Sequence, residues 1–319
     1  MTGIAPFAGG DGGLSAPPCH RSLEPVGQPP ANPRGYLDQC EWGKAEPSFR
    51  DRLHLHEGPI DLVLKAWGPG AREAEARAVA RFRGMLAELV GELGVLRSAG
   101  PWVLQGSVAR VMAAAVDPYR PAFITPMAAV AGAVAQAVLA AMVDGPGVTR
   151  AYVNTGGDIA LHLGLGERFD VAIAARPGWP DRVTVRATDA VRGIATSGWG
   201  GRSQSLGIAD AVTVLARTAA MADAAATMIA NAVDLPGHPA VQRRRAVEVK
   251  ADSDLGARLV TVGMGALTPD EVARALARGQ AAAAAYRARG LIEGAALFLQ
   301  SAVRLEGTFP KPEVIALGH

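Results

Sequence analysis

The sequence predicts an α+β protein in which helices pack on antiparallel sheet. Short alternating strands come in pairs joined by glycine turns, and strongly apolar or alanine-rich helices separate those pairs. The regular strand–helix–strand spacing of a doubly wound parallel sheet is missing. The chain has 319 residues, 49% of them hydrophobic and 19% charged, so it can bury a sizeable core.

Residues 1–48 are rich in Gly and Pro and lack apolar periodicity, which predicts a poorly ordered N-terminal arm. Arg52 to His56 alternates, Gly58-Pro59 interrupts, and Ile60 to Ala66 follows, which predicts a hairpin. A helix with charge on one face is expected from Ala71 to Leu93, and another from Ser107 to Val116. Pro126 to Met142 is apolar on nearly every side and predicts a buried helix. Strands are expected at Ala151–Asn154, Ile159–Leu163, Phe169–Ala175, Val183–Arg186, Val191–Thr196 and Ala211–Ala216.

Ala219 to Asn231 is a helix on composition alone, since alanine is the strongest helix former, and Thr218 is its expected N-cap. A polar connection follows Gly237, then a strand at Arg258–Val262 and a helix from Pro269 to Arg289, N-capped by Thr268. The folded body is expected over 49–305 and a loose tail over 306–319.

Net charge is +2, so no global field points to nucleic acid or to an anionic membrane surface. The run Arg243-Arg244-Arg245 has no interleaved aromatics and is expected as a solvated loop. No apolar stretch approaches the roughly 20 residues of a membrane span, and Met1 to Phe7 has no secretory pattern, so a cytoplasmic protein without membrane contact is expected. Cys19 and Cys40 have no metal-ligand spacing. Phosphate-loop, Rossmann and nucleophile-elbow motifs are absent, and His54, His56, His162 and His238 lack ligand spacing.

Three segments carry candidate chemistry. Asp223 and Thr227 stand four apart, so both oxygens lie on one helix face near an anion-attracting helix end, a pairing that suits Mg²⁺ carrying a phosphate. A plain structural role, with Asp223 solvating one helix edge, is the alternative. In Asn154-Thr-Gly-Gly-Asp158 the paired Gly156 and Gly157 permit close backbone approach to a ligand, although the same residues make ordinary tight hairpins. Thr196-Ser197-Gly198 through Arg202 to Ser205 offers amides and hydroxyls that can cradle a phosphate, or forms a mobile surface loop.

Taken in this order, the three segments resemble the ApbE-like superfamily, whose best-known members are FAD:protein FMN transferases. The turn at Asn154–Asp158, the strand end Thr196-Ser-Gly198, and Val212 to Ala216 followed by Ala222-Asp-Ala-Ala-Ala-Thr227 match its motifs. Thr125 to Ala133, Ser205 to Val212 and Asp223 to Asn231 are similar to an uncharacterised cytoplasmic UPF branch of that superfamily. The resemblance implies an internally duplicated, T-fold-like body, a homodimer, and Mg²⁺ at Asp223 and Thr227.

FAD or a related flavin nucleotide, or a pterin-like ligand, is expected at Asn154, Gly156, Gly157, Asp158, Thr196, Ser197, Gly198 and Ser205, and Asp158 and Asp210 are candidate bases between which the sequence does not choose. An acceptor protein would be the partner of a transferase. Ala131 stands where transferases place a lysine, their His-Ile-Ile-Asp-Pro motif is absent, and Gln204 replaces the histidine usual in the UPF branch. Two functions follow: an Mg²⁺-dependent flavin transferase-like enzyme, or a non-catalytic flavin- or pterin-binding accessory protein in cytoplasmic one-carbon or sulfur metabolism.

Overall fold

Hairpin patterning produces one eight-stranded antiparallel sheet with helices packed on it. The computed structural model describes residues 52–172, 182–307 and 309. The arm expected over 1–48, residues 173–175 of one expected strand, and most of the expected tail lie outside the described residues. β1 (Leu53–Glu57) pairs with β2 (Ile60–Trp67), whose alternation buries Ile60, Leu62, Leu64 and Ala66 on one face. After the helices, β3 (Arg150–Thr155) and β4 (Asp158–Leu163) form a second hairpin beside β2.

Two ribbons lie outside this sheet, β5 (Arg168–Ala172) with β6 (Arg182–Arg186), and β9 (Val241–Arg245) with β10 (Leu259–Met264). The other half of the sheet begins with β7 (Gly193–Ser197), which pairs with β8 (Ala211–Ala216). Helices intervene, and β11 (Gly294–Leu299) returns beside β8 and pairs with β12 (Ala302–Gly307). The order across the sheet is β1-β2-β3-β4-β7-β8-β11-β12. The β5–β6 ribbon packs Val183 and Val185 over a small apolar cluster with Leu161, Leu163, Ile194, Leu215 and Phe298.

The main core lies between the opposite sheet face and the helices. The expected helix from Ala71 to Leu93 is broken into α1 (Ala71–Phe82), α2 (Met85–Gly91) and α3 (Leu93–Leu96), because Gly84 adopts φ +76° and stops the first helix. α4 is Ser107–Val116, and a 3₁₀ turn at Pro126–Ala129 leads into α5 (Val130–Val143). The segment Pro126–Val143 is long and apolar enough to cross a membrane, contrary to expectation. Here it packs against α1, β3, β4 and α6 (Ala219–Ala232), the position of a core helix.

α6 starts where expected, with the Thr218 hydroxyl accepting from the Met221 amide. Gly132 of α5 meets the first turn of α6 so closely that a Cβ there would lie 2.3 Å from the Ala219 carbonyl oxygen. The connection after Gly237 contains β9 and the short α7 (Ala246–Val249), so the Arg243–Arg245 run is a strand and not a loop. Arg243 is bound by the Leu206 carbonyl and the Asp234 carboxylate, which the basic composition gave no means of seeing. α8 (Pro269–Ala288) opens with a full capping box between Thr268 and Glu271.

Candidate functional site

α6 carries three polar residues at helical spacing on an otherwise apolar helix: Asp223, Thr227 and Asn231. All three line one cleft of about 220 Å³, together with Asp158, Arg202, Gln204 and the 3₁₀ turn before α5. Spacing of four keeps them on one helix face, so a single stripe is delivered to the cleft wall. Asn231 accepts from the Leu206 amide at 2.9 Å and from the Ser205 hydroxyl at 3.3 Å, fixing the loop that brings Gln204 to the cleft.

Asp223 is held by the amino end of α5. Its carboxylate accepts the Gly132 amide at 3.0 Å and the Ala131 amide, two donors left unpaired in the first turn of that helix. The anion-favouring helix end beside Asp223 is therefore α5 and not α6, and Asp223 itself occupies it. This corrects the expectation that the α6 terminus offers its amides to a phosphate.

Asp158 opens β4 and lies opposite Thr155 across the hairpin. It accepts the Thr196 amide at 3.2 Å. Burial raises the Asp158 carboxyl to about 7, against the opposing pull of that amide and of the Arg202 charge. Burial raises Asp223 as well, the Asp158 charge raises it further, and the two amides act the other way. Both residues retain some accessible surface, so the desolvation is that of a narrow cleft and eases when a cation enters. Among the described residues the Thr227 hydroxyl makes no hydrogen bond, and the buried Thr155 hydroxyl beside Asp158 has no partner.

The other expected site residues go elsewhere. Asn154 points to the far face and closes its own turn by accepting the Gly157 amide at 2.8 Å. The Thr196 hydroxyl bonds Thr213 at 2.9 Å on that same far face, leaving only its backbone near the cleft. Gly198 packs on the backbone of Asp210, and Ser197 lies outside the cleft lining. Ser205 is buried and its hydroxyl accepts the Gly207 amide, so it shapes the loop. Asp210 is engaged by Trp199 Nε1 and the Gln300 amide, which commits it to joining β8 to β11. Gly156 and Gly157 both have positive φ, as their turn requires.

The cleft has a rim that sequence reasoning missed. Arg97, Phe123, Thr125 and the segment Lys250 to Leu255 line it. Arg97 pairs with Asp252 at 2.7 Å, holding that carboxyl below its ordinary value. The Thr125 hydroxyl donates to Asp254, and Gln204 accepts from Ser253 while donating to the Ala246 carbonyl at 3.0 Å. The two aspartates flanking Ser253 were the available signal, but nothing local places that connection over α6. Among the described residues no group of three or more His, Cys, Asp or Glu could hold a metal.

Fold and site together comprise an antiparallel sheet, two buried helices, and an aspartate on one helix docked on the end of the other. The model of the family described as AbpE bacteria matches residues 44–305, and the chain belongs to that family. It is 36% identical over 182 residues to a UPF0280 protein of Methanopyrus kandleri, a match covering 54% of this chain and 69% of that one. A UPF0280 protein of Methanococcoides burtonii is 40% identical over 124 residues, 37% of this chain and 50% of the relative. These matches place the chain in the UPF branch that its motifs resemble. Among solved structures, a mutant of the flavin transferase ApbE from Vibrio cholerae aligns over 80% of this chain and 97% of that one, at 12% identity and a TM-score of 0.44.

Proposed function

We propose that the cleft binds Mg²⁺ and the diphosphate of a flavin nucleotide or a related ligand, and that the protein is an Mg²⁺-dependent, transferase-like enzyme. One observation carries this reading: two half-buried carboxylates with raised proton affinity face one cleft beside an unengaged hydroxyl. Hard oxygens in that arrangement suit a small divalent cation, which offsets the cost of their buried charge.

Asp223 and Thr227 would hold the cation, and bound there it would neutralise diphosphate charge. The amides of Ala131 and Gly132 orient the Asp223 carboxylate toward the cleft. Asp158, with a carboxyl near 7, takes the proton of an acceptor hydroxyl at neutral pH. That hydroxyl oxygen then bonds the phosphorus of the FMN half, the diphosphate bond breaks, and AMP leaves. Asp210 takes no part, since its own hydrogen bonds hold it. The cytoplasmic location, the homodimer and the acceptor protein belong to the same proposal.

FAD binding followed by fluorescence, with and without Mg²⁺, tests it. Binding that requires Mg²⁺ and is lost in Asp223→Asn supports the reading, and no binding in either condition overturns it. The accessory reading is favoured by the cleft volume of about 220 Å³, below the roughly 300 Å³ at which sites for drug-sized ligands begin. Mass spectrometry of candidate acceptor proteins after incubation with FAD separates the two. A covalent FMN adduct lost in Asp223→Asn indicates the enzyme, and tight binding without an adduct indicates the accessory protein.

A further inference from the structure

The cleft is lined by the carboxyls of Asp158, Asp223, Asp252 and Asp254 and by three cations, Arg97, Arg202 and Lys250. Two of these cations are already engaged: Arg97 pairs with Asp252 at 2.7 Å, and Lys250 lies 3.9 Å from the same carboxylate. Arg202 differs. Among the described residues it makes no ion pair and no hydrogen bond, although its charge is felt by Asp158.

Its position is set by a glycine. The guanidinium lies on the bare backbone of Gly156, where a Cβ would come within 1.8 Å of Nη2 and 2.8 Å of Cζ. Gly156 has φ +63°, and no Cβ is tolerated there while Arg202 stays in place. The neighbouring Gly157 has φ +116° and nothing within 4 Å of its would-be Cβ. The turn thus needs glycine twice, and only Gly156 serves the arginine.

We propose that Arg202, seated on Gly156, is the anion-binding group of this cleft and holds one phosphate of the ligand beside Asp158. This rests on the proposed cation and diphosphate site and adds the residue that selects for a doubly charged, phosphate-bearing ligand. The planar fork of the guanidinium matches two oxygens of one phosphate, a pairing that lysine does not reproduce. A ligand in the cleft then meets a cation held by Asp223 and Thr227 and, beside Asp158, the Arg202 guanidinium. Specificity follows, because a ligand lacking the second phosphate leaves either the cation or Arg202 unmatched.

The test is calorimetric titration of the full chain with inorganic pyrophosphate and with inorganic phosphate, each in the presence of Mg²⁺. Wild type should bind pyrophosphate, and Arg202→Ala should weaken it at least about tenfold. Arg202→Lys should recover only part of that loss, and phosphate affinity should change less than pyrophosphate affinity in both variants. Gly156→Ala should weaken pyrophosphate to a similar extent in the wild-type background and cause no further loss in Arg202→Ala. That non-additivity separates displacement of the guanidinium from strain in the turn. Thermal melts of the same samples report folding independently, and Arg202→Ala should melt close to wild type because the residue is exposed.

Wild-type affinity retained in Arg202→Ala overturns this proposal and leaves the cation and diphosphate reading standing. Absence of any pyrophosphate binding by wild type, at Mg²⁺ concentrations that raise its melting temperature, overturns the diphosphate reading and this proposal together. Full additivity of Gly156→Ala with Arg202→Ala overturns the role assigned to Gly156.

Discussion

Two helices of nearly the same composition lie against each other in the core, and they contribute to the cleft in opposite ways. α5 holds Gln136 as its single polar side chain and gives the cleft backbone: the amides of Ala131 and Gly132. α6 gives side chains, the stripe of Asp223, Thr227 and Asn231. Each helix makes the other's departure from a plain apolar core tolerable. The amides at the start of α5 need an acceptor, and the Asp223 carboxylate needs donors once it leaves bulk water. The match remains incomplete, since burial and Asp158 still hold Asp223 well above its ordinary value. A core helix optimised only for packing would not retain that charge, and strain of this kind is characteristic of functional sites.

Removing the charge while keeping an acceptor for α5 separates the two contributions most directly. Asp223→Asn should weaken Mg²⁺-dependent ligand binding by about a hundredfold or more, measured by titration. The same variant should melt higher than wild type without cation at pH 8 or so, because a disfavoured buried charge is gone. Loss of stability together with retained binding would reverse the roles given to the two helices.

Next in size is the contact that lets the helices meet. Gly132→Ala places a Cβ 2.3 Å from the Ala219 carbonyl oxygen, backbone that no rotamer change can clear. It should cost about 3 kcal/mol in chemical denaturation. A cost below about 1 kcal/mol would show that the helices slide apart freely.

The pH dependence should be smaller and of defined sign. Asp158 titrates near 7 in the folded protein and at 3.8 in an ordinary carboxyl. Between those values the folded state keeps a proton that the unfolded chain has released. Stability without cation should therefore fall as pH rises from about 4 to about 7. Saturating Mg²⁺ should flatten that fall, followed by the melting temperature. A cation-free protein whose stability rises across the window would contradict the raised carboxyls.

The smallest effect serves as a control far from the cleft. Thr268→Ala removes the N-cap of α8 and should cost about 1 kcal/mol without changing ligand affinity. A change in affinity would mean that α8 is coupled to the cleft.

Much of this architecture is legible in the sequence because local signals agree with one another. Ala211–Ala216 and Ser107–Val116 have the bounds their patterns predict, and Thr218 and Thr268 cap as their residue type suggests. The rest depends on long-range partners. β11 is an unbroken run of small and apolar residues, a pattern that fits a buried strand or a helix equally well. β9 carries three arginines, and its strand form comes from pairing with β10 some distance along the chain.

The site divides in the same way. The i, i+4 spacing by itself puts Asp223 and Thr227 on one helix face. Strand parity decides the fate of Asn154 and Thr196, whose side chains leave on the far face while their backbones stay near. The motif shows that these residues belong together, and it does not show which part of each faces the ligand. The 250–255 rim is held over the cleft by Arg97, Thr125 and Gln204, contacts spanning up to 155 positions in the chain.

If the carboxylate on α6 is docked on α5 in order to hold a cation, that cation must be observable in the cleft. Anomalous diffraction from crystals soaked in Mn²⁺, which takes the same oxygen ligands as Mg²⁺, tests this most directly. A single strong peak is expected in coordination contact with the Asp223 carboxylate and the Thr227 hydroxyl, absent in Asp223→Asn crystals. A cleft without a peak at saturating Mn²⁺, in crystals whose α5–α6 contact is intact, would contradict it.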